Sequence, residues 1–135
     1  MTEPTGLLAG AVTDAAGLAL EHEPVPADQV VAGAPTTGHL VLDPTGPDDA
    51  VAPDVDAEDA GAGRTVGVWE MSPGAMRDVE ADELFIVLAG DATVEFVRPA
   101  LDPIEVRPGS VVRLTAGMET VWTVRETLRK VYVAP

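Results

Sequence analysis

The second half of the chain alternates short apolar runs with Gly, Pro and Asp, and this pattern predicts an all-β structure. Many short strand-like runs at even spacing, separated by turn residues, indicate an antiparallel sandwich or barrel. The Gly90-Asp91 pair predicts a β-hairpin between two of them. The predicted strands are Thr65–Met71, Ala75–Val79, Glu83–Leu88, Ala92–Val97, Ile104–Val106, Ser110–Leu114, Glu119–Val124 and Leu128–Val133.

The first 63 residues carry a weaker pattern. Gln29–Pro35 is predicted as an edge segment that ends in a turn, and His39–Asp43 as a strand. A short helical turn is possible over Asp14–Leu20, although Gly17 weakens it. These features predict two parts of one domain: an acidic N-terminal arm and loop over residues 1–63, which contributes edge strands, and a β-barrel over residues 64–135.

The formal net charge is −15, and acidic residues dominate the N-terminal part. Twelve Asp and Glu residues precede Arg64, the first Lys or Arg in the chain. Such a surface argues against binding to nucleic acid or to an anionic membrane. Asp43–Gly63 holds seven acidic residues and three prolines, a composition that predicts a mobile and dispensable loop.

The chain has no cysteine, so neither disulfides nor thiolate metal ligands are available. No apolar run reaches the length of a membrane span, and the N-terminus lacks the basic start of a signal peptide. A cytoplasmic protein is therefore expected.

Two frames in the barrel region resemble the paired motifs of the cupin superfamily. Glu83, followed after six residues by Gly90, resembles the end of the first motif, G-x5-H-x-H-x(3,4)-E-x6-G. The run from Gly109 through Gly117 to Thr120 resembles the second motif, G-x5-P-x-G-x2-H. The resemblance implies a conical jelly-roll β-barrel, the cupin double-stranded β-helix, here with an extended N-terminal arm.

Elements around these frames are similar to one branch, the small cupins like the cupin domain of (S)-ureidoglycine aminohydrolase. They are Gly67-Val68-Trp69, Pro73-Gly74, Val121-Trp122-Thr123-Val124 and Arg129-Lys130-Val131-Tyr132. Many such cupins are dimeric, and we expect a homodimer in which the edge strand around Gln29–Val31 extends a second barrel.

The residues at the family's metal positions depart from its pattern. A metal-binding cupin offers three imidazoles and one carboxylate, whereas here only Glu83 is retained and Thr120 replaces the histidine of the second motif. The His-x-His positions are filled by Arg77 and Val79 if three residues precede Glu83, or by Met76 and Asp78 if four do. Such a set offers a transition metal too few donors, so no metal and no cofactor are predicted.

Glu83 has two metal-free interpretations. It is a buried carboxylate that pairs with Arg77, or it is a general base whose pKa is raised by the apolar wall around it. The pairing is favoured, and Glu83 is the one candidate catalytic residue. The predicted ligand pocket comprises Met76, Arg77, Val79, Glu83, Phe85, Thr120, Trp122 and Tyr132.

Other residues have structural interpretations. Trp122 is predicted to line the pocket with Thr120, because both lie on one strand face, and Trp69 to fill the core. Arg129 and Lys130 are adjacent and must face opposite ways, and surface pairing with acids is favoured over ligand binding. His22, between two glutamates, is expected to be exposed.

The predicted function is that of a cupin that binds a small polar metabolite in its barrel without metal. The main alternative is a metal-dependent enzyme similar to (S)-ureidoglycine aminohydrolase, acting on a small nitrogenous or sugar-like metabolite. A scaffold whose activity has been lost, and a purely structural dimer partner with a barrel filled by its own side chains, are also open. Whether the protein is an enzyme is left open at this point, and fold alone does not decide it.

Overall fold

The computed structural model describes residues 7–44 and 64–135, which contain nine β-strands and no helix. The all-β fold predicted from the sequence is confirmed. The strands are β1 (Glu23–Pro24), β2 (Val30–Ala32), β3 (Thr36–Pro44), β4 (Thr65–Met71), β5 (Gly74–Val79), β6 (Glu83–Arg98), β7 (Leu101–Val106), β8 (Val111–Leu114) and β9 (Glu119–Ala134). Of the predicted mobile loop, Asp43–Gly63, the first two residues belong to β3, and residues 45–63 lie outside the described residues.

All nine strands belong to one curled antiparallel sheet whose two layers share the long strands β6 and β9. In the first layer the order is β1-β3-β4-β9-β6-β8, through the C-terminal half of β9 and the N-terminal half of β6. In the second layer the order is β2-β5-β9-β6-β7, through the other halves. The two layers close around a common interior, as in a cupin barrel.

The predicted hairpin at Gly90-Asp91 is wrong, because β6 runs through this pair as one bent strand. The pairing register of β6 with β9 shifts between Val87 and Ala92, which marks a bulge. Gly90 has φ +100°, and a Cβ there would lie 2.3 Å from the Thr127 carbonyl oxygen. The Gly-Asp pair therefore bends the strand from one layer into the other, and β9, also predicted as two strands, bends opposite it.

Apolar side chains from both layers meet in the interior. The largest fully buried ones include Trp122, Phe85, Met71, Leu114 and Leu128. The alternating burial of β9 from Thr120 to Val124 follows from the two-residue period of a strand.

The N-terminal strands complete the sheet. β1 and β2 lie at its ends, and β2 pairs with β5 of its own chain. No helix forms over Asp14–Leu20, where the backbone makes a turn closed by a hydrogen bond from Gly17 N to Asp14 O. Within the described ranges, no helix of the length and apolarity needed to cross a membrane is found.

Candidate functional site

A cavity of about 210 Å³ opens into the barrel beside the apolar core. Its walls combine three carboxylates, one ammonium group and three aromatic rings, with an imidazole at the rim. The lining residues are His39, Trp69, Asp78, Glu80, Glu83, Trp122, Lys130 and Tyr132. A cavity of this size is smaller than the pockets that hold drug-sized ligands.

The register of β5 decides which motif positions face this cavity. Asp78 pairs with Thr120 on β9, and Met76 pairs with Trp122, so these side chains point into the barrel. Arg77 and Val79 alternate with them and are exposed, Val79 by 68%. Four residues therefore separate the His-x-His positions from Glu83, and those positions hold Met76 and Asp78.

Glu83 pairs with Lys130 inside the barrel. Lys130 Nζ donates a hydrogen bond of 2.5 Å to Glu83 Oε2, and the two side chains are only 6% and 16% exposed. The predicted partner of Glu83, Arg77, lies on the outer face of β5, so the predicted Arg77–Glu83 pair is wrong. The reason is strand alternation, which sends Arg77 outward while Asp78 and Glu83 point inward.

Three aromatic rings surround the Lys130 ammonium. Its Nζ lies 4.3 Å from the ring centroid of Phe85, 4.7 Å from that of Trp122 and 4.8 Å from that of Trp69. These distances are within the range of cation–π attraction. The cage and Glu83 together stabilise a charged amine in the barrel, which also explains how Lys130 is buried.

Glu80, which follows β5, closes the base of the cavity. Its Oε2 accepts hydrogen bonds from Thr120 Oγ1 at 2.6 Å and from Trp122 Nε1 at 3.0 Å. Glu80 is 7% exposed. Both neutral donors bind the same oxygen, and no side chain of the described residues donates a hydrogen bond to Oε1 of Glu80.

Asp78 lies beside Glu80, and no cation of residues 7–44 and 64–135 forms an ion pair with it. Burial, followed by the negative charge of Glu80, raises the pKa of Asp78 to about 6, against the opposing effects of the Val79 N–H hydrogen bond and of Lys130. Its Oδ1 accepts only the neighbouring Val79 N–H, at 2.8 Å. With this pKa, Asp78 changes its protonation state around pH 6 at the wall of the cavity.

Tyr132 and His39 form the outer part of the cavity. Burial and then the charge of Glu83 raise the pKa of the Tyr132 hydroxyl. Its ring lies across Gly67, where a Cβ would come within 2.4 Å of the hydroxyl oxygen. His39, on β3 opposite Trp69, is exposed at the rim.

A second polar group lies on the outside of the first layer. We call it the outer cluster: His22, Thr36, Glu70, Ser72 and Arg129. Arg129 Nε donates to Glu70 Oε2 at 2.8 Å, while His22 Nε2 lies 2.6 Å from Glu70 Oε1 and His22 Nδ1 lies 2.7 Å from Thr36 Oγ1. Arg129 also donates to the Ala15 carbonyl at 2.9 Å, so the cluster holds the N-terminal segment against the sheet.

This arrangement corrects two expectations. Arg129 and Lys130 do face opposite ways, but both are buried, at 7% and 5% exposure, rather than paired on the surface. His22 is partly buried and bonded, because Pro24 and Thr36 pair β1 with β3 and bring it beside Glu70.

Among the predicted pocket residues, the structure brings Glu83, Trp122 and Tyr132 to the cavity wall. Met76, Phe85 and Thr120 are buried directly behind it, and Trp69, expected in the core, lines it. Arg77 and Val79 lie outside. Glu80 and Lys130 were missed, although the two-residue period from Met76 to Glu80 and from Leu128 to Tyr132 predicts their inward direction.

The residues do not fit the metal site typical of cupins. The motif positions present Met76, Asp78, Glu83 and Thr120, and the one retained ligand, Glu83, is bound to an ammonium group. A divalent cation would have to displace Lys130 and tolerate its charge. In residues 7–44 and 64–135, no three His, Asp or Glu side chains are placed to hold a metal ion.

The curled double-layered sheet and the inward Glu83 define a cupin barrel. A model of the EutQ-like cupin domain matches residues 58–132. Because this match covers more than half of the 135 residues, the chain belongs to the EutQ-like cupin domain family. The narrower resemblance to (S)-ureidoglycine aminohydrolase stays a prediction. No curated protein matches the chain significantly.

Solved structures with the same fold have low sequence identity to this chain. A protein of unknown function of the DUF861 family from Pseudomonas syringae pv. tomato has a TM-score of 0.64 and 19% identity over 90% of this chain. This chain spans 46% of that protein's length. The Clostridium difficile EutQ protein has a TM-score of 0.54 and 14% identity, with 83% of this chain and 79% of that chain covered. At these identities the similarity shows the fold alone.

Proposed function

We propose that this cupin domain binds a small polar molecule in its barrel cavity without the help of a metal. The observation that carries the proposal is the Lys130–Glu83 pair, which neutralises the retained motif carboxylate and leaves Asp78 and Glu80 facing the cavity. A few polar groups converging on a partly aromatic cavity are typical of small-molecule sites.

The size and chemistry of the cavity limit the ligand. A volume of about 210 Å³ holds several water molecules, each of which occupies about 30 Å³ in the liquid. A ligand must therefore be small, and to replace those waters it must hydrogen-bond to the cavity carboxylates. Asp78, whose pKa is raised to about 6, is the group best placed for any proton transfer to a bound molecule.

Ligand binding can be tested with the two tryptophans as reporters, since both line the cavity. A library of small polar molecules is screened by following the two indole N–H signals in NMR spectra of the full chain. His39→Trp should block the rim and abolish the shifts that a hit produces. The matched control Leu40→Trp adds the same bulk at a neighbouring exposed residue of β3, and it should leave binding intact.

The absence of a metal requirement is tested by elemental analysis of protein purified without chelator. We expect Mn, Fe, Ni and Zn far below one ion per chain. One tightly held ion per chain, lost in Glu83→Gln, would instead support the alternative of a metal-dependent enzyme similar to (S)-ureidoglycine aminohydrolase.

In the ligand screen, a small molecule that binds equally tightly to Leu40→Trp and His39→Trp would show that the barrel cavity is not the ligand site.

Homodimer formation is a separate proposal. It is supported by β2, which ends the sheet and has one edge unpaired within the described residues. Light scattering at micromolar concentration should give twice the 14.0 kDa chain mass. A monomeric mass would contradict it.

A further inference from the structure

We propose that the ligand of the barrel cavity is a small organic cation, held by N–H donors that bridge Asp78 and Glu80. This inference rests on the proposed function and names the ligand class for the same cavity. The ligand class follows from the charges of the cavity wall and from which of its hydrogen-bonding atoms already have partners.

The charges of the wall are unbalanced. Three carboxylates line the cavity, and Lys130 is its one permanent cation. Lys130 is committed to Glu83 at 2.5 Å. The other two carboxylates thus face the cavity with a net negative charge that no described side chain neutralises.

Free acceptor atoms lie on both of these carboxylates, and on Glu83, whose charge Lys130 already balances. Glu80 directs both Thr120 and Trp122 to Oε2, which leaves Oε1. Asp78 uses only Oδ1, for the Val79 amide. Glu80 as a whole is more than nine-tenths buried, but no fully buried side-chain oxygen of the described residues lacks a partner, so its second oxygen opens onto the cavity, where a donor of a ligand can reach it.

An anionic ligand has no comparable site. The Lys130 ammonium is enclosed by Glu83 and three aromatic rings, and an approaching anion would meet Asp78 and Glu80 as well. A neutral ligand can donate hydrogen bonds to the free oxygens of Asp78 and Glu80, but it does not balance the negative charge of the cavity wall. A cation with at least two N–H donors satisfies both requirements, through charge-assisted hydrogen bonds.

Asp78 also borders a surface depression of about 300 Å³, so titratable or charged side chains face it from two sides. Inside the barrel these groups are Glu80, Glu83, Lys130, Tyr132 and His39. On the depression side they are Asp28, Arg77 and Glu119. Because a bound cation favours the ionised carboxylate, binding should release a proton from Asp78 when the pH lies below its pKa of about 6.

The test uses three ligands of one shape and different charge: acetamidinium, acetamide and acetate. Titration calorimetry of the full chain near neutral pH should show acetamidinium binding at least about tenfold more tightly than the other two, the effect of one charge-assisted hydrogen bond. Its affinity should rise from about pH 5 to about pH 7. Comparison of two buffers with different ionisation enthalpies should show proton release at the lower pH.

Variants locate the binding groups. Asp78→Asn and Glu80→Gln should each lower the acetamidinium affinity about tenfold or more, and Asp78→Asn should remove the proton release. Asp102→Asn, which deletes an exposed carboxylate of β7 that lines neither the cavity nor the depression beside Asp78, should change neither. The pH series on the unaltered protein gives a readout even if a variant fails to fold.

The outcomes separate the two proposals. If acetamide or acetate binds as tightly as acetamidinium and His39→Trp blocks that binding, the inference of a cationic ligand is wrong, whereas the proposal that the cavity binds a small polar molecule stands. Acetamidinium binding that is unchanged in Asp78→Asn and Glu80→Gln would also overturn the cation inference. A wider library in which no molecule shifts the indole signals would overturn the proposed function itself.

Discussion

Two neighbouring residues of β9 form buried ion pairs on opposite sides of the same layer. Arg129 joins Glu70 in the outer cluster, and Lys130 joins Glu83 in what we call the barrel cluster, together with Asp78, Glu80 and Thr120. In the outer cluster both oxygens of Glu70 have charged or polar partners, at 2.6 and 2.8 Å. In the barrel cluster the carboxylates outnumber the cations.

The pKa shifts express this difference. Burial alone would raise the pKa of Glu70, but hydrogen bonds from Arg129 and His22 outweigh it and the pKa is lowered. Burial raises the pKa of Asp78, and its carboxylate neighbours add to the shift. A closed set of partners is what structural anchoring requires, whereas an incomplete set beside a cavity is typical of a functional site.

The largest effect is expected from removing the barrel cation. Lys130→Met should lower the free energy of unfolding by about 3–5 kcal/mol, because Glu83 is left buried without a partner. The double variant Lys130→Met/Glu83→Gln should recover part of the loss. Urea denaturation of the four proteins measures this, and single and double effects that simply add would show that the two side chains are not coupled.

A smaller loss is expected in the outer cluster. Arg129→Met should cost about 1.5–3 kcal/mol, the range for hydrogen bonds to charged groups, because Glu70 keeps His22 as a partner. The N-terminal segment should become more sensitive to protease, since the bonds to the Ala15 and Ala16 carbonyls are lost. Weakened ligand binding in the cavity would contradict the separation of the two clusters.

The two clusters should respond to pH with opposite sign. Between its ordinary value of 3.8 and about 6, Asp78 binds more proton in the folded chain, so its contribution to stability falls as the pH rises. Glu70, with a lowered pKa, stabilises the fold above its ordinary value of 4.5 and loses this contribution as the pH falls. In a pH series of unfolding midpoints, Asp78→Asn should remove the loss of stability that accompanies rising pH. Glu70→Gln should remove the loss that accompanies falling pH. The same slope in all three proteins would contradict the assignment.

The smallest effect is expected at Arg77. Its side chain is exposed and its backbone N–H, bonded to Gln29 O at 2.8 Å, is unaffected by substitution. Arg77→Ala should change the unfolding free energy by less than about 0.5 kcal/mol. If Arg77→Ala lowers the free energy of unfolding as much as Lys130→Met does, Arg77 must pair with a buried carboxylate after all.

Much of the fold was predictable from local pattern. The boundaries of Thr65–Met71 agree with β4, and the inward direction of Trp122 with Thr120 follows from a two-residue period. The bend at Gly90 could not be predicted from local pattern, because a Gly-Asp pair between apolar runs fits a hairpin and a bulge equally well. The choice depends on β9, which lies beside β6 on both sides of the bend.

The sequence by itself determined the strand content, the alternation of faces and the retention of Glu83 in a cupin frame. These depend on neighbours within a few residues, where backbone sterics and side-chain period act. Which cation meets Glu83 was decided only by the tertiary structure. Lys130 is 47 residues away in the chain, whereas the nearer Arg77 points outward. Only the closure of β9 against β6 places the ammonium beside that carboxylate and leaves Asp78 and Glu80 facing the cavity.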